Sequence, residues 1–152
     1  MQIDDIDRRL LRLYQSDPTL SAAELAEAAR LPRATAWRRI ERMEAAGVIT
    51  GLEAVIDWRR LGFAVEVALR ITLDKTERNA FDTFLAAARE VPEVTEIQTF
   101  LGRVDVRLNV LARDMGHYQE IYRARILTLP HIADIEQLML ISDVKTDEAL
   151  PL

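Results

Sequence analysis

The run RLPRATAWRRIERMEAAGVI, residues 30–49, decides how the N-terminal part of this chain is read. Between positions 30 and 42 it holds five arginines and one acid, five minus one or +4, in a chain with 25 acidic and 20 basic side chains overall. Successive helical residues turn by about 100°, so Ala36, Ile40 and Met43 share one stripe, which the spacing predicts to be buried. Arg38 then points away from that stripe, Thr35 and Arg42 flank it, and Arg33 and Ala34 stand at the N-terminal end. Gly47 suits the left-handed residue that closes such a helix. Trp37 sits at the edge of the buried stripe, where packing against neighbouring structure and contact with a partner are both open to it.

Working outward, DDIDRRLLRLYQSD repeats Ile6, Leu10, Leu13 and Tyr14 at helical spacing, with Asp4 or Asp5 placed to cap the start. SAAELAEAAR follows the break at Pro18, and its Ser21 and Glu24 form the Ser-x-x-Glu arrangement that satisfies free amides at a helix start. Three helices with a tight turn between the last two predict a helix-turn-helix, whose last helix enters the major groove by its N-terminal end. The segment VITGLEAVID supplies two short β-prone runs around Thr50 and Gly51 and predicts a hairpin, a wing beside that groove. Guanidinium groups suit such a helix, because they pair with guanine edges or phosphate and keep their charge. The candidate DNA contacts are Arg33, Ala34, Thr35, Trp37, Arg38, Arg39 and Arg42. A charged helix face is often only a solvated one, and Glu41 can pair with neighbouring arginines, so the charge pattern alone leaves both outcomes open.

The whole composition is compatible with this. A chain of 152 residues, about half apolar, buries one fair core or two small ones. Residues 1–60 hold ten arginines and ten acids, while residues 61–152 hold ten basic and fifteen acidic side chains. The net acidity therefore belongs to the second half, and screening lets a local basic face act independently of it. No run approaches the roughly 18 apolar residues of a membrane span, and the N-terminus is charged at once, so a cytoplasmic location is expected. With no cysteine in the chain, disulfides, thiolate nucleophiles and thiolate metal sites are excluded.

After Gly62 the period changes from helical to alternating. FAVEVALRITL places Val65, Val67, Leu69, Ile71 and Leu73 on one face of a strand. ERNAFDTFLAAAREV puts Phe81, Phe84, Leu85 and Ala88 on one helical stripe. VTEIQTFL and VDVRLNVLA read as strands joined by a turn at Gly102 and Arg103. DMGHYQEIYRARILTL reads as a helix capped by Asp114 and closed by Pro130, and IADIEQLMLISDV as a last strand. The order β-α-β-β-α-β is that of a ferredoxin-like unit, with both helices on one sheet face. The other face is left bare, and the simplest cover in so small a domain is a second copy, which also supplies the two-fold symmetry of paired DNA half-sites.

Taken in order, IDDIDRRLLRLYQSDPTLSAAELAEAARL, WRRIERMEAAGVITGLEAVID, LG at 61–62, LGRVDVRLNV, DMGHYQEIYRARILTLP and VKTDEALPL resemble the Lrp/AsnC family (leucine-responsive regulatory protein and asparagine-synthesis regulator) of bacterial and archaeal transcription factors. The resemblance implies an α+β chain with a winged helix-turn-helix over residues 1–60 and a ferredoxin-like domain over residues 61–152. It also implies a homodimer assembling to a tetramer or octamer, binding double-stranded DNA, with an amino-acid effector at contacts between dimers. Carried over by position, the effector site comprises Gly102, Arg103, Val104 and Asp105 of the Gly-x-x-Asp turn, Met115, and Leu138, Met139 and Leu140. The Asp105 carboxylate could accept from an amino group, or merely cap the hairpin turn. Relatives usually have an acid and an aromatic where this chain has Arg103 and Val104, a Ser where it has Pro32, and often a Gly where it has His131.

The sirohaem decarboxylases resemble the same architecture, but their His-Asn-Tyr and Trp-Phe signatures do not occur in EIQTFL and VDVRLNVL. His117 and His131 lie outside any triad or metal-ligand spacing, and no phosphate-cradling glycine loop is present. No catalytic residue, metal or cofactor is expected beyond the amino-acid effector. A DNA-silent metabolite-binding assembly module is the remaining alternative.

Overall fold

The computed structural model describes residues 2–145 and 149–152, and the chain divides into two compact units. One comprises residues 1–55 together with 145–152, the other residues 56–144. The first holds α1 (Asp5–Ser16), α2 (Ala22–Ala28) and α3 (Arg33–Ala45). Asp4 caps α1 and Ser21 caps α2, each with the reciprocal bond from three residues on, Asp7 and Glu24 respectively. Pro32 precedes α3 with no side-chain cap, and Gly47 ends it at φ 69°. Leu10, Ala36, Ile40 and Met43, which the helical spacing predicts to face inward, are buried together with Leu25 and Ala29, while Ile6, Leu13 and Tyr14 pack half-buried against them.

The expected wing hairpin is not formed: residues 50–57 have no regular secondary structure. The cause lies in the first of its two runs, because the Val48 and Ile49 amides both donate to the Met43 carbonyl, at 2.9 and 3.3 Å, and so finish the helix instead of starting a ladder. Leu52, Val55 and Ile56 are left exposed. The C-terminal residues join the first unit through Gln15, which exchanges two hydrogen bonds with the Leu150 backbone, and through Arg12, which donates to the Leu152 carbonyl.

The second unit holds β1 (Val65–Leu73), α4 (Ala80–Arg89), β2 (Val94–Thr99), β3 (Val106–Ala112), α5 (Met115–Ile121) and β4 (Ile132–Met139). All pairings are antiparallel and the strand order is β2-β3-β1-β4, the ferredoxin-like arrangement. Val67, Leu69, Ile71 and Leu73 alternate into the core with Val106, Leu108 and Val110, under Phe84 and Ala88 of α4 and Tyr118 and Ile121 of α5. Phe81, expected on the buried stripe of α4, is exposed: the stripe runs through Ala80, Phe84 and Ala88, and Phe81 lies about 100° round the helix from Ala80. The long helix expected after Asp114 is α-helical only to Ile121 and continues as a π turn over Tyr122–Ile126. No helix among the described residues is long and apolar enough to cross a membrane.

The candidate nucleic-acid interface and effector cleft

The arginines of α3 do not all project outward. Arg39 donates through Nη1 to Asp4 and Asp7, at 2.8 Å each, and Arg42 Nη2 reaches Asp7 at 2.7 Å. Asp7 has no exposed surface, and the Arg39 side chain is only 19% exposed. Its hydrogen bonds to the two Asp carboxylates raise the already high pKa of Arg39. The Asp4 carboxyl is held below its ordinary value, first by the Asp7 amide and then by Arg39. Two of the five clustered arginines are thus explained within the unit: a buried carboxylate on α1 clips α3 in place. Arg42 remains half exposed, with one guanidinium nitrogen committed.

The outer face of α3 is formed by Arg33, Ala34, Trp37, Arg38 and Glu41, with Thr35 half buried beside it. Arg33 and Arg38 make no ion pair or side-chain hydrogen bond among the described residues. Arg33, Ala34 and Trp37 line a shallow cleft with Ala22. The Trp37 ring is 49% exposed, and its indole N–H donates to Glu41 at 2.7 Å. That bond leaves the ring available for contact and places one carboxylate on an otherwise cationic face.

In the second unit the eight expected effector residues fall on different surfaces. Gly102, Arg103, Val104 and Leu138 line one cleft of about 570 Å³ on the sheet face opposite the helices, together with Ala68, Arg70, Phe100 and Arg107. Arg70 faces Glu136 at 3.4 Å, and Arg107 lies 3.6 Å from Glu96 and donates to Gln98 at 2.9 Å. The Arg103 side chain makes no such contact among the described residues, and only its carbonyl is used, by the Thr72 hydroxyl. Met115 lines a separate cleft with Tyr118, Gln119, Tyr122, Arg123 and Gln137. There the Tyr118 phenol donates to Gln137 at 2.6 Å, and burial, then the neighbouring Tyr122, pushes its pKa up to about 12. Leu140 lines a third cleft with Trp58, Arg59 and Asp143, while Met139 is exposed on the strand between Leu138 and Leu140.

Asp105 points inward and is 8% exposed. Its Oδ2 accepts from the Leu73 amide and its Oδ1 from the Lys75 ammonium, each at 2.9 Å. Burial opposes its ionisation, but the Leu73 amide and Lys75 outweigh this and lower the pKa. The carboxylate closes the turn, whose ends are tied by Phe100 N–H to Asp105 O and Asp105 N–H to Ile71 O. Sequence reasoning missed Arg70, Arg107 and Phe100. Arg70 was within reach, since it occupies the outward parity of β1, whose inward parity the alternation gives.

Comparison with known proteins places this geometry. Residues 66–150 match the Lrp/AsnC ligand binding domain family, and residues 3–50 a winged helix-turn-helix DNA-binding family. The chain is 30% identical over 150 residues to the DNA-binding transcriptional activator DecR of Escherichia coli K12, covering 99% of both chains. It is similar to the crystal structure of an AsnC family transcriptional regulator from Agrobacterium tumefaciens, with a TM-score of 0.87, 32% identity, and coverage of 97% of this chain and 96% of that one. It also shares its fold with a transcriptional regulator solved as an L-Met complex from Neisseria meningitidis, with a TM-score of 0.91, 23% identity, and coverage of 99% and 97%.

Proposed function

The chain belongs to the Lrp/AsnC family of DNA-binding transcriptional regulators, and from that premise we propose a division of labour between its two units. The outer face of α3 contacts DNA, with Arg33 and Arg38 as the freely projecting cations and Ala34, Thr35 and Trp37 beside them. Arg42 reaches phosphate with the part of its guanidinium that Asp7 leaves open. Arg39 orients the helix and does not touch the duplex. The observation that carries this reading is Arg38: exposed, opposite the buried stripe of Ala36, Ile40 and Met43, and without a carboxylate partner among the described residues.

The second unit, residues 56–144 in the structure where the sequence reading gives 61–152, assembles copies and binds a small molecule, an amino acid or a relative of one. The solved relative with L-Met bound supports the effector class. The open sheet face, with exposed Leu138 and Leu140 among alternating Arg and Glu side chains, suits an isologous contact with a second copy. Dimers of that kind, paired further into tetramers or octamers, would present two α3 helices to a palindromic site. A second copy on this face also roofs the cleft at Arg103, which couples ligand occupancy to assembly. The protein acts by binding in the cytoplasm, with no catalytic step.

The test is DNA selected from a random pool by the wild-type chain. Arg38→Ala is expected to lose about 1–3 kcal/mol of affinity for the selected sequence, with a smaller loss on unrelated DNA. Equal binding of both DNAs by the variant and the wild type would remove Arg38 from the interface.

A further inference from the structure

The N-terminal turns of α2 and α3 enclose a shallow cleft whose surface is almost entirely carbon. Ala22, the first residue of α2, lines it together with Arg33, Ala34 and Trp37 of α3. Trp37 leaves about half of a large apolar ring in water, and its one polar atom, the indole N–H, is already taken by Glu41 at 2.7 Å. Arg33 directly precedes Ala34 and Arg38 directly follows Trp37, and both are exposed with no side-chain partner among the described residues. An apolar cleft is thus set between two free cations, on the helix whose outer face meets the duplex.

We propose that this cleft receives the 5-methyl group of a thymine in the major groove and so reads one T·A pair in each half-site. The proposal deepens the DNA reading of α3 and rests on it. Thymine alone shows the major groove a methyl group, whereas the other three bases are told apart there by donors and acceptors. A donor or acceptor pressed into a carbon-lined cleft gives up water and finds no partner, while a methyl gives up nothing and gains contact. The indole N–H cannot serve as that partner without leaving Glu41. In a helix-turn-helix the N-terminal residues of the last helix meet base edges and the preceding helix crosses the backbone, and the cleft lies where those two N-terminal turns come together. Arg33 then takes a phosphate or the guanine of a neighbouring pair, which fixes the register in which the methyl is read. Glu41 is a positioning residue: its bond to the indole, one helical turn away, holds the ring in place.

The experiment uses the full chain and the DNA it selects from a random pool. Each thymine of the selected sequence is replaced in turn by deoxyuridine, which lacks only the methyl, and affinities are measured by fluorescence anisotropy. At one thymine per half-site the wild type is expected to lose about four-fold, the worth of one buried methyl-sized group. In Trp37→Ala the same replacement is expected to change affinity by less than about two-fold, and any general weakening cancels because each ratio is taken within one protein. Glu41→Ala should shrink the ratio, and Glu41→Gln, whose amide oxygen still accepts from the indole, should restore it. Ala34→Ser, which puts a hydroxyl into the cleft at an exposed helical position, should also flatten the ratio and serves if Trp37→Ala binds too weakly to measure. Thymines that all tolerate uracil, or a loss undiminished in Trp37→Ala and Ala34→Ser, would overturn the proposal and leave the DNA reading to stand on Arg38→Ala. A pool from which no sequence is selected would overturn both.

Discussion

Asp7 on α1 and Arg39 on α3 meet at 2.8 Å with the carboxylate wholly enclosed, so the most basic segment of the chain is anchored by an acid 32 residues upstream. The arginine cluster therefore does two jobs. Arg39, and Arg42 in part, fix the angle at which α3 is held, while Arg33 and Arg38 stand free on its outer face.

Removing the clip should damage the scaffold before it damages recognition. Asp7→Ala strips two guanidinium groups of a shared buried partner, a change that typically costs about 3 kcal/mol or more. Chemical denaturation, with hydrogen exchange at α1 and α3 amides, should show that loss in the first unit. Arg38→Ala should stay within about 0.5 kcal/mol of wild type, as exposed substitutions do. A loss below about 1 kcal/mol for Asp7→Ala would demote the clip to a surface pair.

The limits of the sequence follow from the same contact. Periodicity and caps are local, so Asp4, Ser21 with Glu24, the buried stripe of α3 and the alternation of β1 were all legible within a few residues. Whether an arginine faces solvent or a carboxylate depends on tertiary neighbours, and neither the Asp7 clip nor the Asp105 to Lys75 pair has a local signature. The wing failed for a subtler reason. Val48 and Ile49 are good strand residues, but the end of α3 uses their amides first. The resemblance gives the effector residues as one set, but in the single chain Gly102, Arg103, Val104 and Leu138 share one cleft, Met115 at the start of α5 lines another, and Leu140, just past the end of β4, a third.

His131 follows Pro130 at φ 61°, in the left-handed region, while its carbonyl accepts from the Asp74 amide at 2.8 Å. Relatives often place glycine here, and glycine adopts this conformation without steric cost. His131→Gly should hold stability level or raise it by up to about 1 kcal/mol. His131→Val should lower it by more than about 1 kcal/mol, because a β-branched side chain tolerates this region worst. Thermal unfolding of the two variants, ranked against wild type, checks the order. A stable valine variant would mean that the turn relaxes to another conformation.

Asp105 gives the fold a pH dependence whose sign can be worked out. Its pKa in the folded chain lies below the ordinary 3.8, because the Leu73 amide and Lys75 favour the charged form more than burial opposes it. A carboxyl of lowered pKa binds its proton more weakly folded than unfolded, so it stabilises the fold above the unfolded value and loses that contribution as pH falls through the folded one. Asp105→Asn removes the charge that Lys75 faces and should cost about 1 kcal/mol or more at neutral pH. Denaturation curves of wild type and variant should therefore be separated at pH 7 and converge below about pH 4, where the wild-type carboxyl is taking up its proton. Lys75→Met should narrow the separation at neutral pH, since it removes one of the two groups that favour the ionised form. A gap between wild type and Asp105→Asn that stayed constant down to the acid transition would show that the carboxylate holds the turn by shape and hydrogen bonding alone, with its charge playing no part.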